Sequence, residues 1–293
     1  MQRSGFGGRH GNKSARTAGK IRVADKSSNF LNLVKAIAGD DLLFCVDALS
    51  IDDVAIDGLI ATWGDAWGVW DTHFVGKATA EKDPPKPTLG AYNGKRTISF
   101  AGDQYMDTAT TVAQLNGESE LTVAWFQKDD SITNFGYVLE LGTSHLDGNN
   151  LLIGGDVDNT NYGLYFALRQ GGVAYNVGAV DDAFADASLP LAPAVVFTWD
   201  GGAGNNTCVK PYVNGDPVPN ASIYDGNNDD DVTGGFSTKT LYLASRNNGQ
   251  SGIFDGSIGC IVAIMRALTA GEVSRLSAAM LDRWNVGNGA PRL

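Results

Sequence analysis

Nine short segments dominate the sequence after residue 40: "RTISF", "ELTVAWFQ", "GYVLEL", "NLLIGG", "YGLYFALR", "VAYNVG", "PAVVFTWD", "TCVKPYVN" and "KTLYLASR". Each is rich in β-branched and aromatic residues and is bounded by Gly, Asn, Asp or Pro, the pattern of strands closed by turns. In "YGLYFALR", Leu164, Phe166 and Leu168 fall on one side of the pleat and Tyr165, Ala167 and Arg169 on the other, so one face is buried and one is wet. "YVNGDPV" (212–218) adds a hairpin: Asn214-Gly215 between apolar residues supplies the two positive-φ positions of a two-residue turn. Many such strands without intervening helices predict two packed antiparallel sheets, an all-β jelly-roll sandwich.

Three segments depart from this pattern. "SIGCIVAIMRAL" is apolar almost throughout and predicts a central strand covered on both faces. "SSNFLNLVKAIAGDD" carries Phe30, Leu33, Val34 and Ile37 at helical spacing and predicts a short helix near 29–38, closed by Gly39. "TAGEVSRLSAAMLDRW" opens on a Thr269/Glu272 capping box and continues with the stripe Val273, Leu276, Met280 and Trp284, predicting a C-terminal helix near 270–284 that docks on the sandwich. The 37 glycines and a charged fraction of 19% suit a fold of tight turns, and 293 residues suffice for one large core.

Charge divides the chain unevenly. Residues 1–40 hold eight Lys or Arg against Asp25 and Asp40, a charge of +6, so the remainder carries −17 of the total of −11. A basic, Gly/Ser-rich arm on an acidic body fits either an electrostatic contact with an anionic partner or a solubilising tail. The sequence therefore divides into a basic arm and short helix at 1–40 and a jelly-roll domain at 41–293. Arg3, Arg9, Lys13, Arg16, Lys20, Arg22 and Phe30 are the candidate partner contacts. With no aromatic in the arm besides Phe6, nucleic acid is not the expected partner. No run of 18 apolar residues and no signal core is present, so neither membrane insertion nor export is expected. Cys45, Cys208 and Cys260 stand apart in apolar runs, which predicts buried free thiols.

The order of motifs resembles the laminin G-like members of the concanavalin A-like jelly-roll superfamily, especially the version found in bacteriophage virion proteins. "NGKRTISFAGDQYM" is similar to that family's early strand and turn, "ELTVAWFQK" to its strand with an inward Trp, and "PYVNGDPV" to its late hairpin. "FDGSIGCIVAIMRALTAGEVSRL" is similar to the Phe-x-Gly-x-Ile strand and Leu-Thr-x-x-Glu helix that end the family's domain, while "LIATWGDAWG" and "PPKPTLGAYNGK" resemble the opening of the phage version. The likeness spans roughly 41–287 and implies a non-enzymatic virion protein made in the host cytoplasm and present in multiple copies. Its arm would hold another virion protein, such as the major capsid protein, and its jelly roll would decorate the head. The alternative is a carbohydrate-binding adhesin on a tail, neck or fibre, recognising host or environmental glycans; a glucanase-like enzyme comes third.

The site residues stay open between functional and structural roles. Glucanases of this fold place their carboxylates at alternate positions of one strand, whereas Glu140 of "YVLELG" has Val138 and Gly142 at those positions, so no acid/base pair shows along the strand. No nucleophile turn of the Gly-x-Ser-x-Gly kind occurs either. Some relatives hold Ca2+ in loops, for which Asp156 and Asp158, or Asp225, Asp229 and Asp231, are the candidates against simple turn chemistry. For a glycan the candidates are Tyr162, Tyr175, Tyr224, Asn247 and Asn248, each with an ordinary strand or turn role as its counterpart.

Overall fold

The computed structural model describes residues 26–51, 62–64, 73–78, 87–101, 104–108, 110–129, 136–142, 150–158, 161–170, 174–180, 193–201, 209–218, 222–225, 236–245 and 254–286. Helix α1 (Lys26–Ala38) precedes β1 (Leu42–Asp47), β2 (Thr62–Gly64), β3 (His73–Ala78), β4 (Thr88–Tyr92), β5 (Lys95–Phe100) and β6 (Gln104–Thr108). The chain continues through β7 (Glu120–Asp129), β8 (Gly136–Leu141), β9 (Asn150–Asp158), β10 (Asn161–Gln170), β11 (Ala174–Val180) and β12 (Ala194–Asp200). It ends with β13 (Val209–Val213), β14 (Asp216–Pro217), β15 (Ser222–Asp225), β16 (Leu241–Leu243), β17 (Gly256–Ile264) and helix α2 (Ala270–Arg283).

The strands form two antiparallel sheets. The eight-stranded sheet runs β14-β13-β12-β7-β17-β5-β4, with β1 also paired to β17; the nine-stranded sheet runs β15-β11-β10-β9-β8-β16-β6-β3-β2. Two Asn-Gly hairpin turns adopt the backbone such turns require: Asn214 and Gly215 have φ of 55° and 91°, and Asn93 and Gly94 have 48° and 73°. They join β13 to β14 and β4 to β5. This is the primed-turn hairpin that matches strand twist.

Two hydrophobic layers result. Between the sheets, Trp125, Phe197 and Ile261 of one sheet meet Trp63, Phe74 and Met106 of the other, and Trp125 stacks on Phe197 with centroids 5.8 Å apart. Leu121, Val123 and Trp125 share this inward face, as the alternation in "LTVAWFQ" predicts. The opposite face of the same sheet is not wet. Ala124, Phe126, Val196, Cys260 and Val262 pack there under Phe30, Val34 and Ile37 of α1 and Val273, Leu276, Met280 and Trp284 of α2. Strand β17 is therefore buried along its whole length, as its unbroken apolar sequence requires.

A bulge between Ile258 and Cys260 lets β17 serve both layers. Ile258, Ile261 and Ala263 face the inter-sheet core, while Cys260, Val262 and Ile264 face the helices. Gly259 sits at the bulge, where an added Cβ would lie 2.5 Å from ring atoms of Trp284 and 2.8 Å from Phe126. Trp284 in turn stacks on Phe126 at 4.8 Å.

The helix ends follow their local chemistry. Gly39, at φ 59°, closes α1, and α1 begins a few residues before the expected start at 29. At the start of α2 the Thr269 hydroxyl accepts from the Glu272 amide, and the Glu272 carboxylate accepts from the Thr269 amide at 2.9 Å, a complete capping box. Arg266 grips the same carboxylate through two bonds of 2.7 and 3.1 Å and donates to the Ile37 carbonyl, tying the end of α1 to the start of α2.

Phe30 corrects an expectation. Proposed from sequence as a partner contact, it is 4% exposed and packs on the Arg283 guanidinium, 5.0 Å from the ring centroid. It holds α1 to the body instead. Cys45 and Cys260 are buried, as expected, and burial pushes the Cys260 thiol well above its usual range. Cys208 lies outside the described residues. No described helix is long and apolar enough to cross a membrane.

Candidate functional site

With the outer face of the eight-stranded sheet sealed by α1 and α2, attention falls on the face of the nine-stranded sheet that points away from the core. Antiparallel partners share a face, so the register fixes its membership. Asp107 of β6 pairs with Tyr242 of β16, and Tyr242 pairs with Glu140 of β8. Their neighbours Met106, Leu139, Leu141, Leu241 and Leu243 all point into the inter-sheet core. The row continues from Glu140 to Leu152 of β9 and Ala167 of β10, and then to Val177 of β11 and Tyr224 of β15.

Adjacent rows add more tyrosines. Tyr105 pairs with Lys77 of β3, Tyr137 and Tyr165 lie opposite Gly154, and Tyr175 lies opposite Arg169. Among the described side chains, Tyr105, Tyr137 and Tyr242 thus gather, buried, on this one face, whereas the described tryptophans, Trp63, Trp125, Trp199 and Trp284, are buried in the two apolar layers. The separation follows side-chain chemistry: a phenol needs a polar neighbour for its hydroxyl, while most of an indole is apolar.

The best-defined part of the face is a polar cluster. Lys77 donates to one carboxylate oxygen of Asp107, and the other oxygen, Oδ1, is buried without a hydrogen-bond partner. Asp107 is 5% exposed and Glu140 fully buried, while the Lys77 side chain is 44% exposed and marks the open side of the cluster. Burial first, and the nearby Asp107 carboxylate second, push both the Tyr105 and Tyr242 phenols above their usual range; Glu140 and Tyr105 add to the effect on Tyr242. Both phenols consequently remain protonated, able to donate a hydrogen bond, well above neutral pH.

The cluster changes the picture of Glu140. A second carboxylate, Asp107, does share its sheet face, but on the other side of the β16 strand. Two strand spacings put their backbones about 9.6 Å apart. Nothing along β8 itself announces the partner.

The predicted site residues are distributed as follows. Tyr175 and Tyr224 are in register with Arg169 and Val177, and Asp156 and Asp158 of β9 with Gly163 and Asn161. Tyr162 and Asp225 have the opposite parity, in register with Val157 and Asn176. Asn247, Asn248, Asp229, Asp231 and the basic residues Arg3, Arg9, Lys13, Arg16, Lys20 and Arg22 lie outside the described residues. Among the described residues no group of three His, Cys, Asp or Glu is placed to hold a metal ion. Tyr105, Asp107, Tyr137, Tyr242 and Lys77 carry no motif that marks them in the sequence. Their signal, a polar or aromatic residue at every outward position of a strand, shows only once the strands are set side by side.

No family model matches the sequence, and no curated protein matches it. Solved structures do resemble it. Domain 4 of AbnA, an extracellular GH43 arabinanase of Geobacillus stearothermophilus, solved in complex with arabinotriose, superposes with a TM-score of 0.51 at 15% identity, over 81% of this chain and 98% of that one. A structure of botulinum neurotoxin type C, whose cell entry depends on two ganglioside molecules, gives 0.55 at 10% identity over 84% of this chain and 52% of that one. The binding domain of botulinum neurotoxin DC in complex with SialylT gives 0.52 at 12% identity, over 82% and 52%. The chain thus spans about half the length of these two neurotoxin structures. At such identities the likeness concerns architecture: the chain has the concanavalin A-like fold, a two-sheet antiparallel sandwich with a helix before it and a helix after it.

Proposed function

We propose that this protein is a non-enzymatic carbohydrate-binding jelly roll whose ligand lies against the outward face of the nine-stranded sheet. The observation that carries this reading is the cluster of Tyr105, Tyr137 and Tyr242 with Asp107 and Glu140, all buried beside the exposed Lys77 on that face, while the other sheet's outer face is closed by helices. Aromatic rings offer an apolar surface to the C–H face of a sugar, and carboxylates and phenols exchange hydrogen bonds with its hydroxyls. The neighbours solved with arabinotriose and SialylT support the reading as examples of the same architecture in contact with sugars. A glycan array probed with the full chain tests it: binding to a defined set of glycans, with no release of reducing ends on incubation, is the expected result. Failure to retain any glycan removes the reading.

A second setting is favoured by one observation, the +6 arm preceding a −17 body. It fits a module anchored through its arm to a larger assembly such as a virion, with the jelly roll displayed. Deleting residues 1–25 would then abolish attachment to the particle while sparing glycan binding.

A further inference from the structure

We infer that Lys77 is a gate over the polar cluster, and that what it stands in for on Asp107 is a pair of neighbouring sugar hydroxyls, a vicinal diol; the second half rests on the glycan-binding reading above. The first support is that the cluster is closed. Tyr105, Asp107, Tyr137, Glu140 and Tyr242 are all buried although they lie on the outward side of the sheet, and Lys77 is the exposed member. Lys77 stands directly opposite Tyr105 in the register of β3 with β6, while Asp107 is two positions further along β6, opposite Val75. To donate to Asp107 Oδ2, the Lys77 stem therefore runs along the face from the Tyr105 position to the Asp107 position. Tyr242 adjoins Asp107 from β16, on its other side. One flexible side chain thus lies across the approach to both phenols and the carboxylate.

The second support is what the gate leaves undone. Lys77 Nζ meets one oxygen of Asp107, and the other, Oδ1, stays buried without a hydrogen-bond partner. A buried carboxylate oxygen lacking a donor is costly, so the closed state satisfies only half of an acceptor pair. An ammonium presents its donors from a single atom, whereas hydroxyls on adjacent carbons bring one donor to each carboxylate oxygen. A vicinal diol therefore completes the pair once Lys77 swings into water, where its head already reaches. An ion pair with so exposed a partner is readily given up. Opening also bares the phenols of Tyr105 and Tyr242, both held protonated, as donors to further sugar oxygens. Apparent affinity falls in proportion to the fraction of molecules whose gate is shut.

The test has two arms and compares the full chain with Lys77→Ala, which cannot close, and Lys77→Arg, whose guanidinium can. The first arm needs no sugar: nitration with tetranitromethane, mapped by peptide mass spectrometry, reads access to each tyrosine. Tyr105 and Tyr242 should react several-fold faster in Lys77→Ala than in the wild type and stay protected in Lys77→Arg, while Tyr212, buried in the helix-side layer, keeps its wild-type rate. Equal rates at Tyr105 and Tyr242 in all three proteins, or a matching rise at Tyr212 from a loosened fold, overturns the gate. The second arm is NMR titration with the methyl glycosides of arabinose, xylose, glucose, galactose and mannose, followed by the monodeoxy forms of the sugar that binds. Lys77→Ala should tighten binding about fivefold, the factor for an ion pair with an exposed partner. Loss of either hydroxyl of the diol should weaken it about tenfold, the value of a hydrogen bond to a charged group. Unchanged or weaker binding by Lys77→Ala overturns the gate, and deoxy forms that all bind like the parent overturn the diol, with glycan binding itself intact in both cases. If the tyrosines open but no glycoside binds, the diol falls with the glycan reading and the gate stands.

Discussion

Arg283, in the last turn of α2, clasps Asp47, the last residue of β1, with Nε donating to Oδ1 at 3.2 Å and a terminal guanidinium nitrogen donating to Oδ2. Both side chains are buried, and Phe30 of α1 lies over the guanidinium. One planar cation thus joins the first helix, the first strand and the last helix.

Removing one partner strands the other. Arg283→Met should destabilise the protein by about 3 to 5 kcal/mol, because Asp47 would remain as a buried carboxylate without its cation. Asp47→Asn should cost less, since the amide oxygen still accepts from the Leu49 amide, which now donates to Asp47 Oδ1 at 3.0 Å. Urea unfolding of both single variants and the double variant gives the coupling. Additive effects would show that the contact contributes little.

Two glycines should respond in opposite directions. Gly259→Ala places a methyl group 2.5 Å from the Trp284 ring and should destabilise by about 1 to 3 kcal/mol, the cost of overpacking. Gly271→Ala, in the first turn of α2 with nothing within 4 Å of the new Cβ, should stabilise by up to about 1 kcal/mol through helix propensity. Thermal melts of the two variants measure both.

Glu272 gives the fold a pH dependence of known sign. The hydrogen bonds from Arg266, the leading cause, together with those from Thr269, lower its pKa from 4.5 to about 2. A carboxylate depressed on folding stabilises the native state above its unfolded pKa, and that contribution fades as pH falls through the folded value. Glu272→Gln should therefore be less stable than the wild type at pH 7, with the gap closing between pH 4.5 and about 2. A gap that stays constant over this range would show that the loss comes from packing or capping instead.

Trp125→Ala should cost about 3 to 5 kcal/mol, the usual penalty for emptying a large buried site. Trp125 is fully buried against Phe197. An unchanged melting temperature would place the β7 register one residue off.

The local features of this fold were legible because local chemistry makes them. Asn93-Gly94 and Asn214-Gly215 dictate their turns, Thr269 and Glu272 their helix start, and the unbroken apolar run of 256–264 its burial on both faces. The candidate site was not legible, for two physical reasons. Asp107, Glu140 and Tyr242 come from strands far apart in sequence and meet only through pairing of β16 with β6 and β8. In addition, a bulge between Tyr137 and Leu139 breaks the period of two, so Tyr137 and Glu140 share a face although they stand three positions apart. Tyr162 shows the converse: it is an aromatic beside amides and carboxylates in sequence, yet its parity puts it with Leu164, Phe166 and Leu168.

The central claim is where the ligand lies, and chemical-shift mapping measures it directly. An isotope-labelled sample of the full chain would be titrated with the glycan that binds most tightly. Shifted amides are expected to concentrate in β6, β8 and β16, with Asp107, Glu140 and Tyr242 among the largest. Shifts confined to α1, α2 and the eight-stranded sheet would contradict it.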